Sequence, residues 1–266
     1  MTNNQPASIS QVIDRYRTDF TAVLPMHINP EQWVRVTIGV IRRNPDLIEV
    51  LQTNPGTMLA AMMDAARLGL EIGDTYNLLP FRNKNLGTVE IVGVTSYQGL
   101  IELMYRAGAV SSVKAEVVRQ GDQFQFSPSM RTPDHRPDWF GNRGDIVGAY
   151  AYAEMKDGGV SRVVVRSKAE IEQVRDVSRS AGKADSPWQK WPDRMALKTV
   201  VRELSKFVPT SAEYIGTPGA TSSARHLPPP RGGDHHDLTA ADSQPLEINA
   251  DTGEILDTEA EYEPHD

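Results

Sequence analysis

The spacing of the apolar residues changes near Gly73, and this change constrains the fold more than any other feature of the sequence. Before Gly73, apolar residues recur at helical intervals, which predicts amphipathic helices. The starts of four helices are indicated by Ser8, Pro30, Asn44 and Gly56. After Gly73, short apolar segments alternate with turns, so the sequence as a whole predicts an α+β fold with a helical N-terminal region.

The part of the chain after Gly73 predicts a β-hairpin and a small antiparallel sheet, packed with helices. The segments YNLLPF and TVEIVGV are joined by the polar loop RNKNLG, as expected of a hairpin. Further strands are indicated in VSSVKAEVV, DQFQF, IVGAYAYAEM and VSRVVVR. Helices are predicted from Tyr97 to Ala107, from Ser167 to about Arg179, and from Trp188 to Phe207.

Acidic charge is concentrated near the C-terminal end of the sequence. The net charge of −7 and the pI near 5.4 would by themselves disfavour nucleic-acid binding. Of the 35 acidic residues, however, 11 lie between Asp234 and Asp266, where there is no Lys or Arg. Residues 1–233 therefore contain the other 24 acidic residues and all 28 Lys and Arg residues. The sequence therefore predicts a mildly basic body followed by an acidic tail.

We expect three regions along the chain. They are an N-terminal helix at 1–29, a core at 30–214 and an acidic tail at 215–266. The apolar face of the N-terminal helix is a candidate subunit interface, with packing inside one chain as the alternative. The tail is poor in aromatic residues and rich in Pro, Gly, Ser and acids, which predicts disorder. It can mimic nucleic acid, bind a protein partner or keep the protein soluble, and the sequence leaves these roles open.

Several classes of protein are disfavoured by missing features. There is no long apolar run and no secretory signal, so we expect a soluble, unexported protein, and the lack of cysteine fits a reducing cytoplasm. The absence of cysteine excludes disulfides and thiolate zinc sites. Gly182-Lys183 is followed by Ala184 rather than Ser or Thr, and no H-E-x-x-H occurs. We therefore expect no ATP-driven motor, no metal, no cofactor and no hydrolytic enzyme.

The last predicted helix carries the most informative pattern, a row of cations that we call the cationic stripe. Its members are Lys190, Arg194, Lys198, Arg202 and Lys206, at successive four-residue intervals. An apolar stripe that can anchor the same helix to the core consists of Trp191, Met195, Val201, Leu204 and Val208. The cationic stripe can follow the phosphates of an extended strand, and a merely solvated helix face is the open alternative.

Other residues are candidates for contacts with DNA. They are Arg82 and Lys84 in the hairpin loop, Tyr97 and Gln98 between a strand and a helix, and Arg106. A tyrosine can stack on a base, and an amide can bond to a phosphate or a base edge. An ordinary polar loop and a buried tyrosine are the alternatives. Trp188 and Trp191 are also candidates for stacking, but Trp191 is assigned to the core because it lies on the apolar stripe.

Four segments together carry a family resemblance. They are GLEIGDTYNLLPFRNKN (69–85), SYQGLIELMYRAGAVSSVKAEVVRQGDQFQF (96–126), YAYAEMKDGG (150–159) and SPWQKWPDRMALKTVVRELSKFVPTS (186–211). In this order and spacing, from about residue 30 to 214, they resemble the RecT family. The piece MALKTVVRELSKFVP, which contains much of the cationic stripe, is similar to the family signature W…MA-K-T…R-L-K…P.

The resemblance implies a phage-type recombination protein that binds single-stranded DNA and anneals complementary strands without ATP. It also implies a compact α+β core similar to that of lambda Beta, and a homo-oligomer that forms a ring or a helical filament on DNA. Expected partners are the single strand, the annealed duplex intermediate, a phage exonuclease and the host single-strand binding protein. Two other functions stay open, namely a passive single-strand coat and a metal-dependent nuclease.

Residue roles are carried over by matching positions. Contacts with the DNA backbone are implied for Lys198 and Arg202 of the last helix, and for Arg82 and Lys84 of the hairpin. Where family members have G-Y-K-G or G-Y-R-G, this chain has S-Y-Q-G at 96–99, so a neutral amide replaces the usual cation.

Overall fold

The computed structural model describes residues 8–82, 88–178, 182 and 186–210. The chain divides into two compact units, one ending at Gly99 and the other beginning at Leu100. Helices and small antiparallel sheets make up the described part, which confirms the predicted α+β class. The acidic tail and Lys84 lie outside the described residues.

The first unit begins with a layer of helices. They are α1 (Ile9–Arg15), α2 (Arg17–Val23), α3 (Pro30–Arg42), α4 (Pro45–Thr53) and α5 (Pro55–Leu68). Side-chain caps explain why three of them start where they do: Ser8 forms a capping box with Gln11, and Asn29 and Asn44 accept backbone N–H groups of the first turn. The single helix predicted from Ser8 to Pro25 is two helices, because Tyr16 leaves the helical conformation with φ −101° and ψ 8°.

The helical layer supports the predicted β-hairpin. Strands β1 (Tyr76–Arg82) and β2 (Val89–Thr95) are antiparallel, with Arg82 opposite Val89. Helix α5 packs against β2, and the Thr57 hydroxyl accepts the backbone N–H of Ile91 at 3.0 Å. This contact fixes the hairpin to the helices and so helps to determine where the exposed Arg82 is held.

Gly99 lies in the first turn of helix α6 (Tyr97–Arg106), where the chain passes close to Thr75. The Ser96 N–H donates to the Thr75 carbonyl at 2.9 Å, and the Ser96 hydroxyl accepts the Gly99 N–H at 3.1 Å. A Cβ at position 99 would overlap the Thr75 carbonyl oxygen, which is backbone and cannot move alone. Packing therefore explains the glycine of the S-Y-Q-G motif without any contact to DNA.

We expect Gly99→Ala to lower the free energy of unfolding by about 1–3 kcal/mol, because the added methyl group overpacks this site. The matched control is Gly39→Ala within α3, where a new Cβ would meet nothing within 4 Å. That control should raise stability by roughly 0.5 kcal/mol, as expected for Gly replaced by Ala in a helix. Urea unfolding of both variants measures the difference, and equal stabilities would contradict the packing argument.

The second unit contains a three-stranded sheet in the order β3-β6-β7, with antiparallel neighbours. The strands are β3 (Val110–Arg119), β6 (Ile146–Met155) and β7 (Val164–Ser167). Strands β4 (Gln123–Gln125) and β5 (Asp134–Arg136) form a separate short pair. The helices are α7 (Lys168–Asp176), α8 (Pro187–Lys190) and α9 (Pro192–Leu204).

Helix α9 packs on all three strands of this sheet. Three alanines of β6 project from one face, since strand side chains alternate, and all three are fully buried: Ala149, Ala151 and Ala153. Their small side chains allow a helix to approach the sheet closely. On α9 itself, Val200 and Leu204 are fully buried, whereas Arg194 is exposed. The apolar face of α9 thus fixes the orientation of its cations.

Candidate nucleic-acid interface

Helix α9 carries three cations at four-residue intervals, Arg194, Lys198 and Arg202. Because an α-helix has 3.6 residues per turn, these three side chains lie on one slowly winding face. Arg194 is exposed, while Lys198 and Arg202 are partly buried and interact with other groups of the chain. We call these three residues the α9 cations. Their common face is the central part of the predicted cationic stripe.

The prediction of one continuous helix through all five members of the cationic stripe is wrong. Lys190 is the last residue of α8, and Trp191 then has φ −138° and ψ 60° before α9 begins at Pro192. The proline ring disfavours the helical conformation in the preceding residue, which explains the break. Lys206 follows the end of α9. Both outer cations are exposed, but neither belongs to the helix that carries the α9 cations.

The acidic residues that interrupt the charge of α9 are held by arginines of the sheet. Asp193 accepts two hydrogen bonds from Arg119 at the end of β3, at 2.8 and 2.6 Å. Glu203 accepts two from Arg166 of β7, at 2.8 and 2.6 Å. These paired contacts fix α9 to both edges of the sheet and neutralise its acids. The negative charges on α9 therefore do not oppose an anion near its cations.

The other predicted contact residues have different surroundings. Arg82, at the end of β1, and Gln98 are exposed, whereas Tyr97 is only partly exposed. Arg106 ends α6 and forms an ion pair with Glu102 one turn earlier. This pairing places a carboxylate against the Arg106 guanidinium, which makes Arg106 a weaker candidate for a phosphate than the sequence indicated.

The two tryptophans exchange the roles that the helical pattern predicted. Trp191 is 50% exposed, and Trp188 is 7% exposed. The assignment of Trp191 to the core is wrong because the break before Pro192 takes its side chain out of the helical apolar stripe. Stacking by Trp188 is contradicted by its burial. Trp191, next to Lys190, is the one of the pair that a base can reach.

Two negative findings apply to the described ranges alone. Within them, there is no group of three or more His, Cys, Asp or Glu residues that could hold a metal ion. None of the helices placed there is long and apolar enough to cross a membrane.

Comparison with known proteins identifies the family of this chain. Residues 31–224, which include the hairpin and α9, match the RecT family. The chain belongs to the RecT family. It is 34% identical over 220 residues to Protein RecT of Escherichia coli strain K12, covering 79% of this chain and 75% of that protein. It is also 27% identical over 212 residues to YqaK, an uncharacterized protein of Bacillus subtilis strain 168, covering 76% and 63% of the two chains.

Membership of the RecT family supports a role for this protein in recombination and single-strand annealing. The family match includes every residue of the cationic stripe. It also includes Tyr97 and Gln98, the two candidate contact residues of the S-Y-Q-G motif. It ends at residue 224, so most of the acidic tail lies beyond it.

A buried carboxylate that the sequence did not reveal helps to hold the start of α9 in this RecT-family protein. The Asp122 side chain is fully buried and accepts two hydrogen bonds from Arg143, both at 2.7 Å, and one from the Arg119 backbone at 2.7 Å. The His135 imidazole lies 3.1 Å away. The hydrogen bonds from Arg143 hold the pKa of Asp122 well below its usual range. Since Arg119 also binds Asp193, this cluster positions the start of α9.

Two exposed aromatic residues were not among the residues predicted from the sequence to form a binding surface. Trp139 and Phe140 lie between β5 and β6 and are 61% and 102% exposed. The signal was their occurrence side by side within a turn-forming segment, PDWFGNRGD, that has no apolar periodicity.

Proposed function

We propose that this RecT-family protein binds the phosphates of single-stranded DNA along the α9 cations and anneals complementary strands without ATP, as a multimer. The observation that carries the proposal is the regular row of three cations on a helix whose acids are neutralised by Arg119 and Arg166. Four residues of helix rise about 6 Å, which is comparable to the spacing of phosphates along an extended strand. Each contact releases counterions, so affinity falls steeply with salt.

Contacts with phosphates suit annealing because they leave the base edges exposed. Lysine and arginine bind the backbone without reading its sequence, so a second strand can test the bases of the first. Stacking and pairing of the bases then supply the free energy of the reaction, and no nucleotide hydrolysis is needed. We therefore expect little sequence preference. Arg82 and Lys84 of the hairpin, with Tyr97 and Gln98, are proposed as further contacts.

A multimer increases the total affinity because many weak sites act on one strand. Once one subunit of the multimer is bound, the neighbouring subunit meets the next segment of the same strand at a high effective concentration. A ring or a helical filament supplies such an array. A phage exonuclease and the host single-strand binding protein are proposed partners in the bacterial cytoplasm, and no hydrolytic step belongs to the proposal.

Mixing the full-length protein with two complementary oligonucleotides in the absence of ATP tests this function. We expect duplex formation to be faster than the spontaneous reaction, as measured by fluorescence quenching between end labels. Parallel reactions with and without Mg²⁺, followed by a denaturing gel, examine the strand lengths. Binding without acceleration would favour a passive coat, and shortened strands would favour a nuclease.

A further inference from the structure

An exposed aromatic pair is held in a fixed position on the second unit. Residues 137–145, which we call the aromatic loop, present Trp139 and Phe140 to solvent. Asp138 accepts the backbone N–H groups of Phe140 and Gly141 at 3.2 and 3.1 Å. The Arg143 guanidinium lies 4.9 Å from the centre of the Trp139 ring and is itself bound to buried Asp122. Two large apolar side chains on a braced turn are typical of a binding surface.

The same unit also has a groove lined by apolar side chains and arginines. Its volume is about 690 Å³, and it is formed by residues 126–131 and 159–166 together with Glu203. Apolar walls come from Phe126, Met130, Val160 and Val163. Three arginines also line it, Arg131, Arg162 and Arg166. We call this cavity the arginine groove.

The aromatic pair does not occupy the arginine groove of its own copy. Trp139 and Phe140 are 61% and 102% exposed in this structure. The pair and the groove are therefore both available to a partner.

Charge favours a second copy as that partner. The aromatic loop contains Asp138 and Asp145, while its only cation, Arg143, is engaged by Asp122. This acidic surrounding repels phosphates, which disfavours single-stranded DNA as the partner of the aromatic pair. Of the three arginines of the groove, Arg166 is held by Glu203, whereas Arg131 and Arg162 are exposed. The two carboxylates of the loop attract these two exposed arginines, so the two surfaces of identical chains are complementary in charge.

We propose that Trp139 and Phe140 of one copy insert into the arginine groove of the next copy. The contact joins two different surfaces, so repetition produces a ring or an open filament rather than a closed dimer. This inference rests on the multimer that the proposed function requires, and it names the surfaces that would build it.

Two full-length variants test the contact, Phe140→Asp on the loop and Met130→Asp in the groove. Analytical ultracentrifugation of each variant alone should show self-association weakened at least about 30-fold, as expected for loss of a central aromatic contact. A mixture of the two retains one intact loop and one intact groove, so it should form dimers and nothing larger. Met26→Asp, at a fully exposed methionine of the first unit, is the matched control and should assemble as the wild type does.

Circular dichroism of each variant checks folding, and Phe140→Leu should restore part of the assembly. Normal assembly of Phe140→Asp, or a mixture that stays monomeric, would overturn the contact. Normal assembly with reduced affinity for a short oligonucleotide would instead assign the aromatic pair to DNA. The annealing assay distinguishes the two proposals. A wild type that assembles through Phe140 but does not anneal refutes the proposed function and leaves the contact standing. A wild type that anneals as a monomer refutes the contact, together with the multimeric part of the proposed function, and leaves annealing itself standing.

Discussion

Replacing Lys198 and Arg202 together by alanine is expected to weaken binding of single-stranded DNA about 100-fold. Each substitution removes a hydrogen bond between charged groups, worth about 1.5 kcal/mol, and about 1.4 kcal/mol corresponds to a factor of ten. The slope of log affinity against log salt should become shallower by about 1.4, since each phosphate contact on a single strand contributes about 0.7. Fluorescence anisotropy of a labelled oligonucleotide over a series of NaCl concentrations measures both quantities.

The matched control removes two exposed lysines of the same unit that are not on α9, Lys156 and Lys168. Lys156→Ala with Lys168→Ala lowers the net charge equally, so any effect of overall charge appears in both double variants. Because Lys198 and Arg202 are partly buried, thermal unfolding of each variant must accompany the titration. Unchanged affinity and slope in a folded Lys198→Ala/Arg202→Ala protein would remove α9 from the phosphate path.

Asp122→Ala is expected to lower the free energy of unfolding by about 3–5 kcal/mol, the usual cost of breaking a buried ion pair by removing one partner. The substitution leaves Arg143 without its carboxylate and releases the backbone of Arg119. Since Arg119 binds Asp193, the start of α9 should loosen as well. Urea unfolding measures the stability, and oligonucleotide binding well below the unfolding midpoint measures the effect on the site.

The pH dependence of the wild type provides a second readout for Asp122. Its pKa is lowered in the folded protein, so the unfolded chain binds a proton first as the pH falls. The contribution of Asp122 to the free energy of unfolding is therefore complete above about pH 3.9, the pKa of an aspartate in the unfolded chain. This contribution is lost as the pH drops toward the lowered pKa of Asp122 in the folded protein. The stability of Asp122→Ala should not show this decrease at low pH. Asp134→Ala, which removes an exposed ion pair with Arg136, should change stability little and serves as the control.

Much of the secondary structure could be predicted because its signals are local. Helix caps at Ser8, Asn44 and Ser167 act on backbone groups two or three residues away, and the hairpin follows from two apolar segments around one polar loop. The pairing of Arg106 with Glu102 was also available from the sequence, since four-residue spacing on a helix brings them together. Its consequence for DNA binding was missed because only the cation was considered.

The sequence by itself determined the α+β class, the cations and apolar residues of α9, and the likeness to the RecT family, since each depends on spacing along the chain. The tertiary structure alone decided that Arg119 and Arg166 neutralise the acids of α9, that the Asp122 side chain is buried, and that Trp139 and Phe140 are exposed. Arg119 and Asp193 are 74 residues apart in sequence, and Arg166 and Glu203 are 37 apart. Such pairs are brought together by packing of the sheet and helix, which local periodicity does not encode.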